Sequence, residues 1–158
     1  MQRLPATERG VRHVTFNEGV LAAQAIASCA MCGLIWFVQV VHYPLFASID
    51  ISASSDYADR NQQRTPWVVI PPMLVEAVTA AIIVAQPPSG IGRPIAVAGL
   101  AMVAALWLST LLVQMPLHAR LKQGHAPELV TALVRTNWTR TALWSARALL
   151  AVWMLRAA

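Results

Sequence analysis

Charge is scarce in this chain: only 12% of its 158 residues are Asp, Glu, Lys or Arg, against about 25% in soluble domains. With 57% hydrophobic residues and a mean hydropathy of +0.54, that scarcity excludes an ordinary water-soluble globule. Acidic residues are the rarer kind, 7 against 12 basic ones. The resulting pI near 10.2 does not point to nucleic acid, because the arginines are scattered at the ends of apolar runs with no basic stripe and no nucleic-acid motif. Cysteine is nearly absent too. Cys29 and Cys32 make one C-x-x-C inside an apolar run, and a membrane thiol relay would need further cysteines. The pair reads as small packing residues. Ile26-Ala27-Ser28-Cys29 imitates a lipoprotein cleavage site, but the apolar run continues past it to Val41. A cleaved leader is not expected either, since Glu8 and Glu18 precede a run long enough to span.

What the chain has in quantity is long apolar sequence. Four stretches, residues 20–43, 67–85, 95–118 and 129–155, approach or exceed the length of about 20 residues needed to cross a bilayer. The expected fold is all-α: an integral membrane four-helix bundle, residues 1–158 forming one domain with antiparallel neighbours. The fourth stretch is interrupted by Arg135, Asn137, Arg140 and Arg147, and reads as a helix whose polar face turns into the bundle. The expected location is a bacterial inner membrane with both termini cytoplasmic. Arg3, Arg9 and Arg12 before the first span, and the acidic loop after it, favour that orientation.

Local signals mark the ends. Thr15-Phe16-Asn17-Glu18 has capping-box spacing. Pro44 marks an end or kink of the first helix. The polar segment 48–65 reads as a loop, with a short helix beginning at Ser54-Ser55-Asp56 and stopped by Pro66. Pro71 and Pro72 fall inside the second span. Pro87, Pro88, Gly90 and Gly92 give a tight reversal, Gly124 ends the third helix, and Pro127-Glu128 opens the fourth. Val38-Gln39 followed by His42 resembles Val113-Gln114 followed by His118, a faint internal repeat.

The polar residues within the runs converge. Alternating spans bring Gln39 and His42, Glu76, Gln114 and His118, and Asn137 and Arg140 to one half of the bundle. Residues three or four apart share a helix face, so Ser28, Cys32, Gln39 and His42 form one stripe, and Asn137, Arg140, Trp144 and Arg147 another. Ionisable groups at membrane depth cost about 2.5–3.5 kcal/mol each even on the mildest scale, so they should be held as a partnered site. Several chemistries remain open. His42, Glu76 and His118 are the ligand types of a single iron or copper site, although Glu76, roughly 14 Å along its helix from Trp67, sits deeper than the histidines. His42 and His118 could instead be axial ligands of haem. With no cofactor, a histidine would abstract an acidic proton while Arg140 and Asn137 hold the oxyanion. Gln39, Gln114, Trp138, Trp144 and Arg147 are the expected substrate-binding residues. The structural alternative pairs Glu76 with Arg140 or Arg147 and leaves the histidines at the interface. The expected partners are the bilayer and a lipophilic small molecule, with a homo-oligomer or a larger membrane complex as further options.

Four strings, VQVVHYPLF, WVVIPPMLVE, LLVQMPLHARL and NWTRTALWSARALL, together resemble the anthrone oxygenase-like family of small four-helix membrane proteins over residues 20–156. That resemblance implies, from the fungal members, oxygenation of an anthrone to an anthraquinone with molecular oxygen, and the expected function here is an oxidoreductase or oxygenase for a lipophilic aromatic or quinone-like substrate. It carries His42, Glu76, His118, Asn137, Trp138, Arg140 and Arg147 as matching positions. The chain departs from the family before the second span, where relatives often have histidine and this chain has Arg60-Asn61-Gln62-Gln63.

Overall fold

A computed structural model describes residues 15–123 and 127–158, and among these it contains helices and no strand. Arg3, Glu8, Arg9, Arg12 and Gly124, which entered the orientation, leader and helix-end expectations, lie outside the described residues. The helical segments are α1 (Phe16–Ser48), α2 (Ile51–Ala85), α3 (Arg93–Gln123) and α4 (Pro127–Ala157). Helices α1 to α3 are long and apolar enough to cross a membrane. Helix α4 carries Arg135, Arg140 and Arg147 in its body, and the last two are buried against the other helices.

Each helix packs against its sequence neighbours, and α4 closes the ring against α1. Three apolar layers show that neighbours run antiparallel. Val20 and Leu21 of α1 meet Ile83 of α2, Ala96 of α3 and Met154 of α4 at one end. Met31, Ile35, Met73, Leu106 and Trp144 fill the middle. Tyr43, Phe46, Ala58, Leu121, Val130 and Leu133 close the other end. The start of α1 and the end of α4 therefore lie together.

The capping box forms: the Thr15 N–H donates to Glu18 Oε2 at 2.7 Å, and the Glu18 N–H donates to Thr15 Oγ1 at 3.3 Å. Segment 48–65 is not a loop. Asp50 caps α2, accepting from the Ser52 hydroxyl at 2.6 Å and the Ser52 N–H at 2.9 Å. Those two bonds, the side-chain one first, hold its carboxyl below the usual carboxylate range. From there the helix runs through Pro66, Pro71 and Pro72 without a break. Proline removes a single ladder bond and crowds one carbonyl, and packing against both neighbouring helices offsets that loss. The polar start of α2 is fastened across to α3, where Lys122 pairs with Asp59 at 2.6 Å and Ser55 donates to the Lys122 carbonyl at 2.6 Å.

Neither Pro44 nor Pro116 ends its helix. Each is preceded by a five-residue π turn, Val38–His42 in α1 and Thr110–Gln114 in α3. The residue just before the proline closes the turn in both cases: the Tyr43 N–H donates to the Val38 carbonyl and the Met115 N–H to the Thr110 carbonyl. Aligning the turns on their prolines sets His42 against Gln114 and Gln39 against Leu111. What recurs is thus the proline-anchored turn, in a different register from the glutamine–histidine match in sequence. Between α2 and α3, Gly90 has φ +84, and a Cβ there would strike the Ala157 carbonyl.

Candidate functional site

The polar groups divide into two clusters on opposite sides of Trp144. The first borders a cavity of about 370 Å³. Helix α1 contributes Val38, His42 and Tyr43, α2 contributes Asn61, Gln62, Thr65 and Val69, α3 contributes Trp107, Thr110, Gln114 and His118, and α4 contributes Arg140. The wall is mostly apolar with a few converging polar groups, the usual form of a small-molecule site.

Arg140 is 5% exposed, and among the described residues no carboxylate pairs with it. Its contacts are with neutral groups. Nη1 donates to Asn137 Oδ1 at 2.9 Å, the guanidinium lies 5.0 Å from the centre of the Trp144 ring, and the Tyr43 phenol is beside it. Asn137 is fixed in turn. Its Nδ2 donates to Gln39 Oε1 at 2.9 Å, Thr141 Oγ1 adds a 3.3 Å bond to the same oxygen, and Gln39 Nε2 donates to the Val134 carbonyl at 3.1 Å. Gln39 and Asn137 are spent holding Arg140 and do not line the cavity.

Tyr43 Oη and His118 Nε2 are 3.0 Å apart, and His118 Nδ1 is buried with no hydrogen-bond partner. Gln114 donates through Nε2 to Thr136 Oγ1 at 3.0 Å, which leaves Gln114 Oε1 unpartnered. Gln62 Oε1 and Arg140 Nε are also buried and unpartnered. These four atoms, two nitrogens and two amide oxygens, belong to four residues around one cavity. Buried polar atoms without partners are rare in folded proteins, and together they describe a place for a ligand with polar groups of its own.

The second cluster is closed in charge but not in hydrogen bonding, since Arg147 Nε and Nη1 are buried without a hydrogen-bond partner. The Glu76 carboxylate, 2% exposed, accepts from the Ser28 hydroxyl and from Trp144 Nε1 at 2.9 Å, and Arg147 Nε stands 3.9 Å from it. Gln24 and Thr79 extend the network, with Thr79 Oγ1 donating to Gln24 Oε1 at 2.7 Å. Gly99 of α3 makes room for the arginine: a Cβ there would come within 2.9 Å of Arg147 Nη1. Glu76 and Arg147 lie outside the cavity wall.

The three residues expected as metal ligands therefore do not converge. His42 and His118 line the cavity, while the Glu76 carboxylate is held by Ser28, Trp144 and Arg147. Among the described residues no group of three His, Cys, Asp or Glu side chains could hold a metal ion. The haem alternative finds His118 Nε2 engaged by Tyr43. Trp144 does not line the cavity; it lies behind the wall, in one apolar cluster with Met31, Ile35 and Met73 and against Arg140. Trp138 is 50% exposed and packs edge-on against Trp36, centroids 5.8 Å apart, away from the cavity. Cys29 and Cys32 are free thiols, and Cys32 lies 3.8 Å from Ser145 Oγ.

Sequence reasoning missed Tyr43, Asn61, Gln62 and Thr65. Tyr43 could have been found as the aromatic between His42 and Pro44. The others were hidden by the reading of 48–65 as a loop. No family model, curated protein or solved structure matches the chain.

Proposed function

We propose that the chain is an integral membrane oxidoreductase or oxygenase, and that the cavity binds a lipophilic aromatic or quinone-like molecule as its oxyanion. The observation that carries this reading is Arg140, a buried cation that has no counter-charge among the described residues and borders an apolar cavity beside a histidine with a free nitrogen. A desolvated charge without a partner is costly, and an anionic occupant offsets that cost. The exposed apolar side chains on every helix, among them Ile26, Trp67, Leu112 and Leu149, favour a bilayer as surroundings.

The chemistry follows from the groups present. In the tautomer with hydrogen on Nε2, His118 donates to Tyr43 and offers the Nδ1 lone pair as base. Proton removal from a methylene conjugated to a ketone through an aromatic ring, as in anthrone, places the electron pair on the carbonyl oxygen, and Arg140 stabilises that oxyanion in low dielectric. Molecular oxygen takes the electrons and bonds to the carbon. Loss of the second C–H proton with cleavage of the O–O bond leaves a new carbonyl and one water. Methylene and O2 thus become carbonyl and H2O, with no other reductant required.

Oxygen uptake by the purified protein in lipid nanodiscs, with anthrone as probe, tests the reading. The wild type should consume oxygen, with His118→Ala and Arg140→Met at the uncatalysed rate and His42→Ala intermediate. Absence of uptake with anthrone and related enolisable aromatics, in a protein that purifies only with a second membrane protein, favours a non-enzymatic subunit.

A further inference from the structure

We infer that the ligand enters this cavity sideways, through a window between α2 and α3 at the α3 π turn, so that the bilayer rather than the aqueous phase delivers it. This rests on the proposed function above. The cavity wall is asymmetric in its exposure. The wall residues from α1 and α4 are buried or half-buried, and every exposed one comes from α2 or α3: Thr65, Pro66, Ile70, Leu111 and Met115. Helices α2 and α3 pack together along Arg93–Ser109 and again along Met115–Gln123. The π turn Thr110–Gln114 lies between those stretches. There the α3 backbone is displaced from α-helical register, and on α2 the facing stretch contains Pro66 and Pro71.

The end of the bundle that carries the charged residues is closed. Tyr43, Phe46, Ala58, Leu121, Val130 and Leu133 form an apolar plug below the cavity, with Tyr57 stacked edge-on against Phe46 at 5.0 Å. The Asp59–Lys122 pair and the Ser55 bond to the Lys122 carbonyl fasten α2 to α3 outside that plug. From Arg64 to Ile70 is roughly 9 Å of helix, so the window opens where the apolar run 67–85 begins, at the edge of the apolar part of the chain. Its rim is apolar except for the Thr65 hydroxyl, which is turned to Asn61 Oδ1 at 3.1 Å.

Stopped-flow fluorescence of 2-naphthol, a lipophilic phenol, binding to the protein in nanodiscs tests the route. Ile70→Phe and Leu111→Phe fill the window and should slow association and dissociation together by roughly tenfold or more, with equilibrium affinity changed far less than either rate because Arg140 and His118 are untouched. Asp59→Asn and Lys122→Met release the fastening at the closed end and should leave both rates as they are. A Leu111→Cys protein lacking Cys29 and Cys32, folded first and then capped with a benzyl thiosulfonate, repeats the obstruction without any risk to folding. Faster binding in the Asp59 or Lys122 variants, with no effect of filling the window, overturns the lateral route and leaves the proposed function standing. No binding by the wild type overturns both.

Discussion

Arg140 and Arg147 stand seven residues apart on one face of α4, both at least 95% buried, and they illustrate two ways of keeping a cation inside a helix bundle. Arg147 has a carboxylate, Glu76, within 3.9 Å and a glycine cut away to admit it, and it lies outside the cavity wall. Arg140 has an amide, a phenol and the face of an indole, and it borders about 370 Å³ of empty space. Trp144 stands between them, its ring against Arg140 and its N–H on Glu76. Same residue type, same helix, opposite roles: charge balance supplied by the fold suits a structural group, and charge balance left open suits a ligand.

The comparison can be broken most forcefully at Arg147. Arg147→Met leaves Glu76 buried without its cation and should cost about 3–5 kcal/mol, read as a large fall in the thermal midpoint in detergent. Adding Glu76→Gln should recover most of the loss, since the second change removes the stranded charge. Equal destabilisation by the single and double variants would mean that the pair is not the unit described here.

Arg140→Met should cost less, about 1–3 kcal/mol, because it strands no buried carboxylate and leaves only Asn137 Oδ1 without its donor. Binding of 2-naphthol, by contrast, should be lost, and Arg140→Lys should restore only part of it, a point charge replacing a planar fork. If Arg140→Met unfolds the protein as Arg147→Met does, the two arginines are alike after all.

A stability effect below that of Arg147→Met is expected at Gly99. Its Ala variant brings a methyl to 2.9 Å from Arg147 Nη1, and overpacking of this kind costs typically about 1–3 kcal/mol. The same change should lower the thermal midpoint while leaving 2-naphthol affinity intact. A shift in affinity without a shift in stability would show that Gly99 communicates with the cavity.

The sequence made the helix count and the first cap legible because they depend on local composition: runs of apolar residues, and Thr15 three residues before Glu18. It misled at α2. A polar segment with proline at its end reads as a loop, yet Asp50 caps it and tertiary packing carries the helix through Pro66, Pro71 and Pro72. Within the site, a period of 3.6 placed Gln39 and His42 on one stripe. The π turn separates them, and Gln39 turns to Asn137 of α4 while His42 faces the cavity. No local signal announces a π turn beyond a proline that does not end its helix. The gathering of polar residues toward one half of the bundle was visible as a pattern. Their division into an open and a closed cluster was not, because it depends on which side of Trp144 each side chain falls.

Both π turns hold one residue more than an α-helical path between the same points would need. Deleting one residue from Thr110–Gln114, Leu112 for example, would let the ladder close as α-helix with the parts before and after the turn kept in the same relation, whereas the same deletion in a regular stretch of the helix would rotate one part against the other by about 100°. Length changes in this protein are therefore not confined to its connections. An alignment of related chains that forbids gaps inside helices would misplace Gln114 and His118 together, and would do the same to Gln39 and His42 in α1.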